Sequence, residues 1–225
     1  MNENKKFKSI MNFLGLALIA ISIPISVIIL KSGQLDFSVN AFLNEDPVNI
    51  QVSSVKADSF TVSWYTEKSL TGMLKLKDSL EPVSEATESN YHLITLKNLN
   101  PQTTYEFQLM SNGNLYPENY KAITFAENFT DTNKWINGQV FSVDGKTVQS
   151  KGLVFLKLLA ENESQTLVSN LNEMGGYKFN LNNLKDTEGN RFNYRQNLMV
   201  EVKVFIDPKS EEVTKKFSLD LNYLN

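Results

Sequence analysis

Apolar residues recur at every second position through most of this chain, and that period restricts the fold more than any other feature. A residue pattern of period two belongs to a β-strand with one face buried, because successive side chains point to opposite faces. VNIQV (residues 48–52) alternates, and SFTVSWY (59–65) sets Phe60, Val62 and Trp64 on one face. Leu74 and Leu76 oppose Lys75 and Lys77; Ile94 and Leu96 then precede a turn, and Tyr105, Phe107 and Leu109 follow it. Ile123 and Phe125 are expected to close this set. Turn signals stand between the runs, at KAD (56–58), NLNP (98–101) and SNGN (111–114), and no helical run interrupts them. Residues 47–126 therefore read as a β-sandwich.

A polar connector, ENFTDTNK (127–134), leads to a second set over 135–225. INGQVFSVDGK (136–146) gives a short strand ending in an Asp-Gly turn, and LVFLKLL (153–159) and LVSNL (167–171) give two more. Tyr177, Phe179 and Leu181 share a face. Leu198, Val200, Val202, Val204 and Ile206 align opposite Glu201 and Lys203, and Phe217, Leu219, Leu221 and Tyr223 form the last apolar face. This region too reads as an antiparallel sandwich, with the strand count after Leu181 left open. The expected fold class is all-β: two immunoglobulin-like sandwiches in tandem behind one N-terminal transmembrane helix.

That helix is expected over residues 9–30, a run of roughly 22 residues with no charge, or about 33 Å as a helix against about 30 Å of hydrocarbon. It has no polar face at helical spacing. Pro24 is tolerated in a membrane, and no small-x-small cleavage site follows, so the segment reads as an uncleaved signal anchor. Lys5, Lys6 and Lys8 precede it, while Asp36, Glu45 and Asp46 follow Lys31. The positive-inside rule then places a tail of residues 1–8 in the cytoplasm and residues 31–225 outside, with 31–46 as a juxtamembrane linker.

The turn LNPQTTY (99–105) has a particular meaning in a sandwich. A Tyr near the start of the penultimate strand sends its hydroxyl back to the backbone a few residues upstream and pins the corner. Leu99 would plug the core beneath that turn, and Trp64 would be the central core aromatic. SFTVSW (59–64) together with LKNLNPQTTY (96–105) resembles a fibronectin type III domain, most of all the variant that precedes the catalytic domain of purple acid phosphatases. That variant often opens its corner strand with a His, as YHLITL (91–96) does with His92. The resemblance implies a fold and a spacer or adhesion role, and no reaction, since the phosphatase's metal-binding domain has no counterpart here. In the second region, GQVFSVDGK (138–146) and GGYKFNL (175–181) are similar to carboxypeptidase regulatory-like (transthyretin-like) domains. NNLKDTEGNR (182–191) is longer than that family's usual turn.

Composition removes several chemistries. With no Cys there is no disulfide, thiolate metal site or Cys nucleophile, and one His leaves no His-rich metal cluster. Net charge is −3, and the first ten residues carry a surplus of +2, so the body is acidic and offers no basic face to nucleic acid. DTEGN (186–190) has oxygen ligands around a Gly but lacks the acidic alternation of a calcium loop, and reads as a solvated turn. Glu45-Asp46 and Glu211-Glu212 read as surface charge. A Ser–His–acid triad would need His92, and no elbow-like Ser accompanies it; His92 reads as a packing or hydrogen-bonding group. No Lys–Asn pair stands visibly inside an apolar run, so an isopeptide crosslink is not expected. Asn128 and Asn162 head glycosylation sequons in connectors.

The sequence thus predicts no catalytic, cofactor-binding or metal-binding residue and no enzyme. It predicts a membrane-anchored extracytoplasmic protein that displays its sandwiches for adhesion, surface structure, or protein or carbohydrate binding. Its partners would be the lipid bilayer, through residues 9–30, and a protein or polysaccharide ligand, with no nucleic acid. Two alternatives stay open: a non-catalytic subunit of a cell-envelope or secretion complex, and an accessory module of a separate hydrolase.

Overall fold

The computed structural model describes residues 46–111, 114–129, 134–142, 145–194, 198–206 and 213–219. The expected membrane helix at 9–30 lies outside them. Among the described residues no helix is long and apolar enough to cross a membrane. Among the described residues every strand pairing is antiparallel, and the architecture is all-β.

The first region holds β1 (Val48–Ser53), β2 (Phe60–Leu70), β3 (Gly72–Leu76), β4 (Val83–Ser84), β5 (Ser89–Leu96), β6 (Thr104–Ser111), β7 (Asn114–Leu115) and β8 (Tyr120–Ile123). One sheet has the order β1-β2-β5; the other runs β4-β3-β6-β7, with β8 also paired to β6. The sheets close on one core. Phe60, Val62 and Trp64 of β2 and Ile94 and Leu96 of β5 meet Leu74 of β3 and Phe107 and Leu109 of β6. Strand alternation delivers these residues, as the sequence predicts.

The corner also forms as expected. The Asn100 N–H donates to the Tyr105 hydroxyl at 2.7 Å, and Leu99 packs on the core beneath it. The last strand departs from expectation. Tyr105 pairs with Ala122 and Phe107 with Tyr120, so Tyr120 and Ala122 share the core face with Tyr105 and Phe107. Ile123 consequently points out and is 62% exposed. Apolar character alone suggested the opposite phase, and the register with β6 decides it.

The second region holds β9 (Trp135–Gln139), β10 (Leu153–Leu159), β11 (Leu167–Asn170), β12 (Gly176–Asn180), β13 (Leu198–Phe205) and β14 (Val213–Leu219). A four-stranded sheet, β11-β10-β13-β14, packs on the two-stranded pair β12-β9. Val154, Leu156 and Leu158 with Leu198, Val200 and Val202 form one side of its core. Two strands cannot cover four. Leu181, Leu184 and Phe192, from the segment that follows β12, supply the rest of the lid, and all three are buried.

None of these sheets mixes strands from the two regions, yet Asn44–Asn225 forms one compact unit. The reason lies on the outer faces of β2 and β10. Both strands are buried on both sides. Tyr65, on the face of β2 opposite Trp64, packs with Leu153 and Phe155, on the face of β10 opposite its own core; Tyr91, Leu93, Val168 and Phe205 surround them. Tyr65 meets Tyr91 edge-on at 5.6 Å and Phe205 at 5.5 Å. Burying such side chains contributes roughly 1.5–3 kcal/mol each. Hydrogen bonds tie the same junction: Ser54 N–H to Thr166 O at 2.9 Å, Val168 N–H to the Ser54 hydroxyl at 3.3 Å, and the Tyr91 hydroxyl to Ile206 O.

The end of the first region and the connector add a second fastening. Phe125 and Phe129 flank the Lys185 ammonium, 5.0 and 4.2 Å from the two ring centres. A Cβ on Gly189 would come within 2.7 Å of the Phe125 ring. The long segment 182–191 combines the turn expected at 186–190, where Thr187, Glu188 and Asn190 are exposed, with a buried part: Lys185 and Asp186 are 1% and 2% exposed. Its extra length carries it to the connector and, through Leu184, into the core of the second sandwich.

Candidate functional site

Two polar constellations merit a chemical test. The first is centred on His92, fully buried and stacked on Trp64 with ring centres 4.8 Å apart. Strand β5 pairs it with Trp64 of β2, which explains the stacking. Its Nδ1 lies 2.7 Å from Glu85 Oε2, and its Nε2 lies 2.9 Å from the Thr66 hydroxyl. That hydroxyl is also 2.7 Å from Lys68 O. The Glu85 carboxylate accepts further bonds from Leu93 N–H at 2.8 Å and Gly72 N–H at 3.2 Å. A Cβ on Gly72 would meet His92 Nδ1 at 2.5 Å, Glu85 Oε2 at 2.6 Å and the Trp64 ring at 2.8 Å. Only glycine fits there.

Hydroxyl, imidazole and carboxylate in line is the wiring of a nucleophilic triad. A substrate must still reach the hydroxyl, and Thr66 is 0% exposed. The cluster does something else well. It spans the register shift between Tyr65 and Leu70 and ties β2, β3, β5 and the stretch after β4 together. The structure thus brings together a His that the sequence singled out and two partners, Thr66 and Glu85, that it did not. No spacing rule connects residues 66, 85 and 92, because strand pairing alone makes them neighbours.

Other expected features resolve simply. Asp186 Oδ1 accepts the Glu188 and Asn190 N–H groups at 3.0 and 2.9 Å, so its oxygens hold their own turn. No group of three acidic or His side chains among the described residues could hold a metal. Asn128 accepts the Ala57 N–H at 3.0 Å, which engages the first sequon's amide in the fold. Glu45 and Glu211-Glu212 lie outside the described residues. Burial lowers the affinity of Lys185 for its proton, against the pull of Glu127 and Asp186, and pushes the Tyr194 hydroxyl up to about 12.

The second constellation lies where the two sandwiches meet. A cleft of about 180 Å³ is lined by Ser54 and Lys56 from the first and by Gln165, Lys178, Asn180 and Asn182, among others, from the second. Ser54 at φ 49° and Asn183 at φ 60° hold the left-handed conformation at its wall. A wider cleft, of about 260 Å³, flanks the junction elsewhere, between Ser89–Tyr91 and Ser150–Gly152. The sequence could not show these, since each is assembled from both regions. One signal for the junction itself was present: LVFLKLL (153–159) is nearly continuous rather than alternating, which marks a strand buried on both faces.

No protein-family model matches the chain, and no curated protein matches it in sequence. Solved structures similar to it are arrays of fibronectin domains. The central fibronectin-III array of RIM-binding protein aligns at 14% identity and TM-score 0.31, over 81% of this chain and 65% of that one. The chicken CNTN1 FN1-FN3 domains align at 14% and 0.27, over 78% and 66%. A two fibronectin type-III domain segment from chicken tenascin aligns at 11% and 0.25, over 77% and 99%. The chain thus spans less than two thirds of the first two.

Proposed function

We propose that this protein is a membrane-anchored, non-catalytic display protein. It holds a fibronectin type III-like sandwich of the phosphatase-associated variant and a carboxypeptidase regulatory-like sandwich outside the cell, for adhesion or ligand binding. The observation that carries this reading is the apolar junction of Tyr65, Leu153 and Phe155. Domains joined by a polar interface move relative to one another by default. An aromatic and aliphatic junction, with a buried lysine bolted between connector rings, instead fixes one composite surface. A reaction needs a reachable nucleophile, whereas recognition needs a surface of constant shape.

Protease shaving of intact cells, with a C-terminal epitope tag and intact-mass measurement of the membrane fraction, tests the display. Loss of the tag, with a full-length mass before shaving, is expected. A tag protected until lysis overturns the orientation. A mass short by the anchor segment overturns the membrane attachment.

A further inference from the structure

The junction cleft at Ser54, Lys56, Gln165, Lys178 and Asn180 has a composition its neighbours lack. Three other clefts each include a carboxylate: Glu201 in one, Glu161 and Asp186 in another, Glu88 in the third. This one has two lysines and no acid. Neither Lys56 nor Lys178 has a carboxylate partner among the described residues; the Lys178 ammonium rests instead over the Trp135 ring, 4.0 Å from its centre. Trp135 pairs with Asn180 across β9 and β12, and 38% of it is exposed.

The two ammonium groups are joined by an amide donor. Asn180 Oδ1 accepts the Asn182 N–H at 2.8 Å, which leaves the Asn180 NH₂ for a ligand. Gln165 lines the cleft at 8% exposure, and its carboxamide oxygen has no partner among the described residues.

We propose that this cleft binds an acidic polysaccharide through one sugar ring at a time. The inference rests on the display reading for its biological setting, but the chemistry stands on the cleft. A donor-rich lining with two ammonium groups suits a ligand that carries hydroxyls and about one carboxylate per unit. The volume falls below the roughly 300 Å³ at which pockets for whole drug-sized molecules begin, so one unit of a longer chain fits better. Trp135 lies outside the lining, but its ring carries the Lys178 ammonium, so a ligand that engages Lys178 alters the surroundings of that ring. The ligand touches both sandwiches, so the fixed junction is a condition for the site.

The experiment uses the purified full chain in detergent, titrated with oligogalacturonate and followed by tryptophan fluorescence and calorimetry. Trp64 is fully buried, so the fluorescence change reports Trp135. Saturable binding is expected, weakening with salt and falling about tenfold or more in K56Q/K178Q, whose two exposed sites leave the melting temperature unchanged. Absence of saturable binding overturns the proposal. So does equal binding by the double variant, or equal competition from neutral dextran oligomers or polyphosphate. Detergent-solubilised protein has no orientation, so failure here leaves the display reading to the shaving experiment, and failure there leaves the cleft untouched.

Discussion

The two sandwiches close their cores by different means. In the first, three strands face five, and every fully buried residue of the core, Phe60, Trp64, Leu74 and Phe107 among them, lies in a strand, with Leu99 of the corner packed against its edge. In the second, four strands face two, and irregular chain completes the lid with Leu181, Leu184 and Phe192. The edge strand β14 stays partly uncovered, with Val213 51% and Phe217 39% exposed. A core whose buried residues all come from strands can leave its loops free to vary. A core with only two strands on one side draws a loop into it, and here that loop also grips the connector.

The sharpest way to break this comparison is to remove a loop residue and ask whether it behaves as core. Phe192 is 2% exposed and T-stacked on Tyr194 at 5.4 Å, so Phe192→Ala should cost about 3–5 kcal/mol in denaturant unfolding, as a strand Phe would. A loss below about 1 kcal/mol would show that the lid is ornamental. In the first sandwich the sensitive point is polar. Glu85→Ala leaves His92 Nδ1 and the Leu93 and Gly72 N–H groups without their acceptor, and should cost about 3 kcal/mol. Gly72→Ala pushes a methyl into the same cluster and should cost about 1–3 kcal/mol. Unchanged melting in either variant would show that the clamp is not holding β2 to β3 and β5.

Alternation made the strands and most core faces legible, and the NLNP turn with Tyr105 made the corner legible, because both are local rules. Ile123 shows the limit: four residues of strand do not determine phase, and the pairing with β6 does. The Thr66–His92–Glu85 cluster was half visible, since a lone His attracts notice while its partners are set by strand neighbours. Segment 182–191 was recognised as too long, yet its polar composition hid Lys185 between two Phe rings. Neither cleft was legible, because each takes walls from both sandwiches.

That buried lysine sharpens the contrast with ordinary surface charge. Lys185→Met keeps the length and the ring contacts while removing the cost of desolvating a charge, and should match wild type within about 1 kcal/mol or exceed it. The pH dependence has a definite sign. Burial holds its proton affinity below the usual lysine value of 10.5, so the unfolded chain binds more protons over the window beneath that value. Stability should therefore rise with pH through that window in wild type, and the rise should vanish in Lys185→Met. A wild-type slope that survives the substitution would assign the effect to other groups.

The smallest expected effect belongs to the exposed ion cluster at Glu106. Its carboxylate bonds Lys121 and Lys77, each at 2.8 Å, across the sheet of β3, β6 and β8. Hydrogen bonds from Lys121 and then Lys77 hold its carboxyl down at about 2 against an ordinary 4.5. A depressed carboxyl stabilises the fold above the unfolded value and loses that contribution as pH falls through the folded one, so the window runs from about 4.5 down to about 2. Carboxyl-carbon NMR should show Glu106 titrating near the bottom of that range at low salt and moving back toward 4.5 in 1 M salt. Glu106→Gln should leave the neutral-pH melting temperature almost unchanged, because both lysines are well exposed and solvent already screens the pair. A loss matching that of Glu85→Ala would mean that this sheet depends on its surface charges as much as on the sealed cluster beneath it.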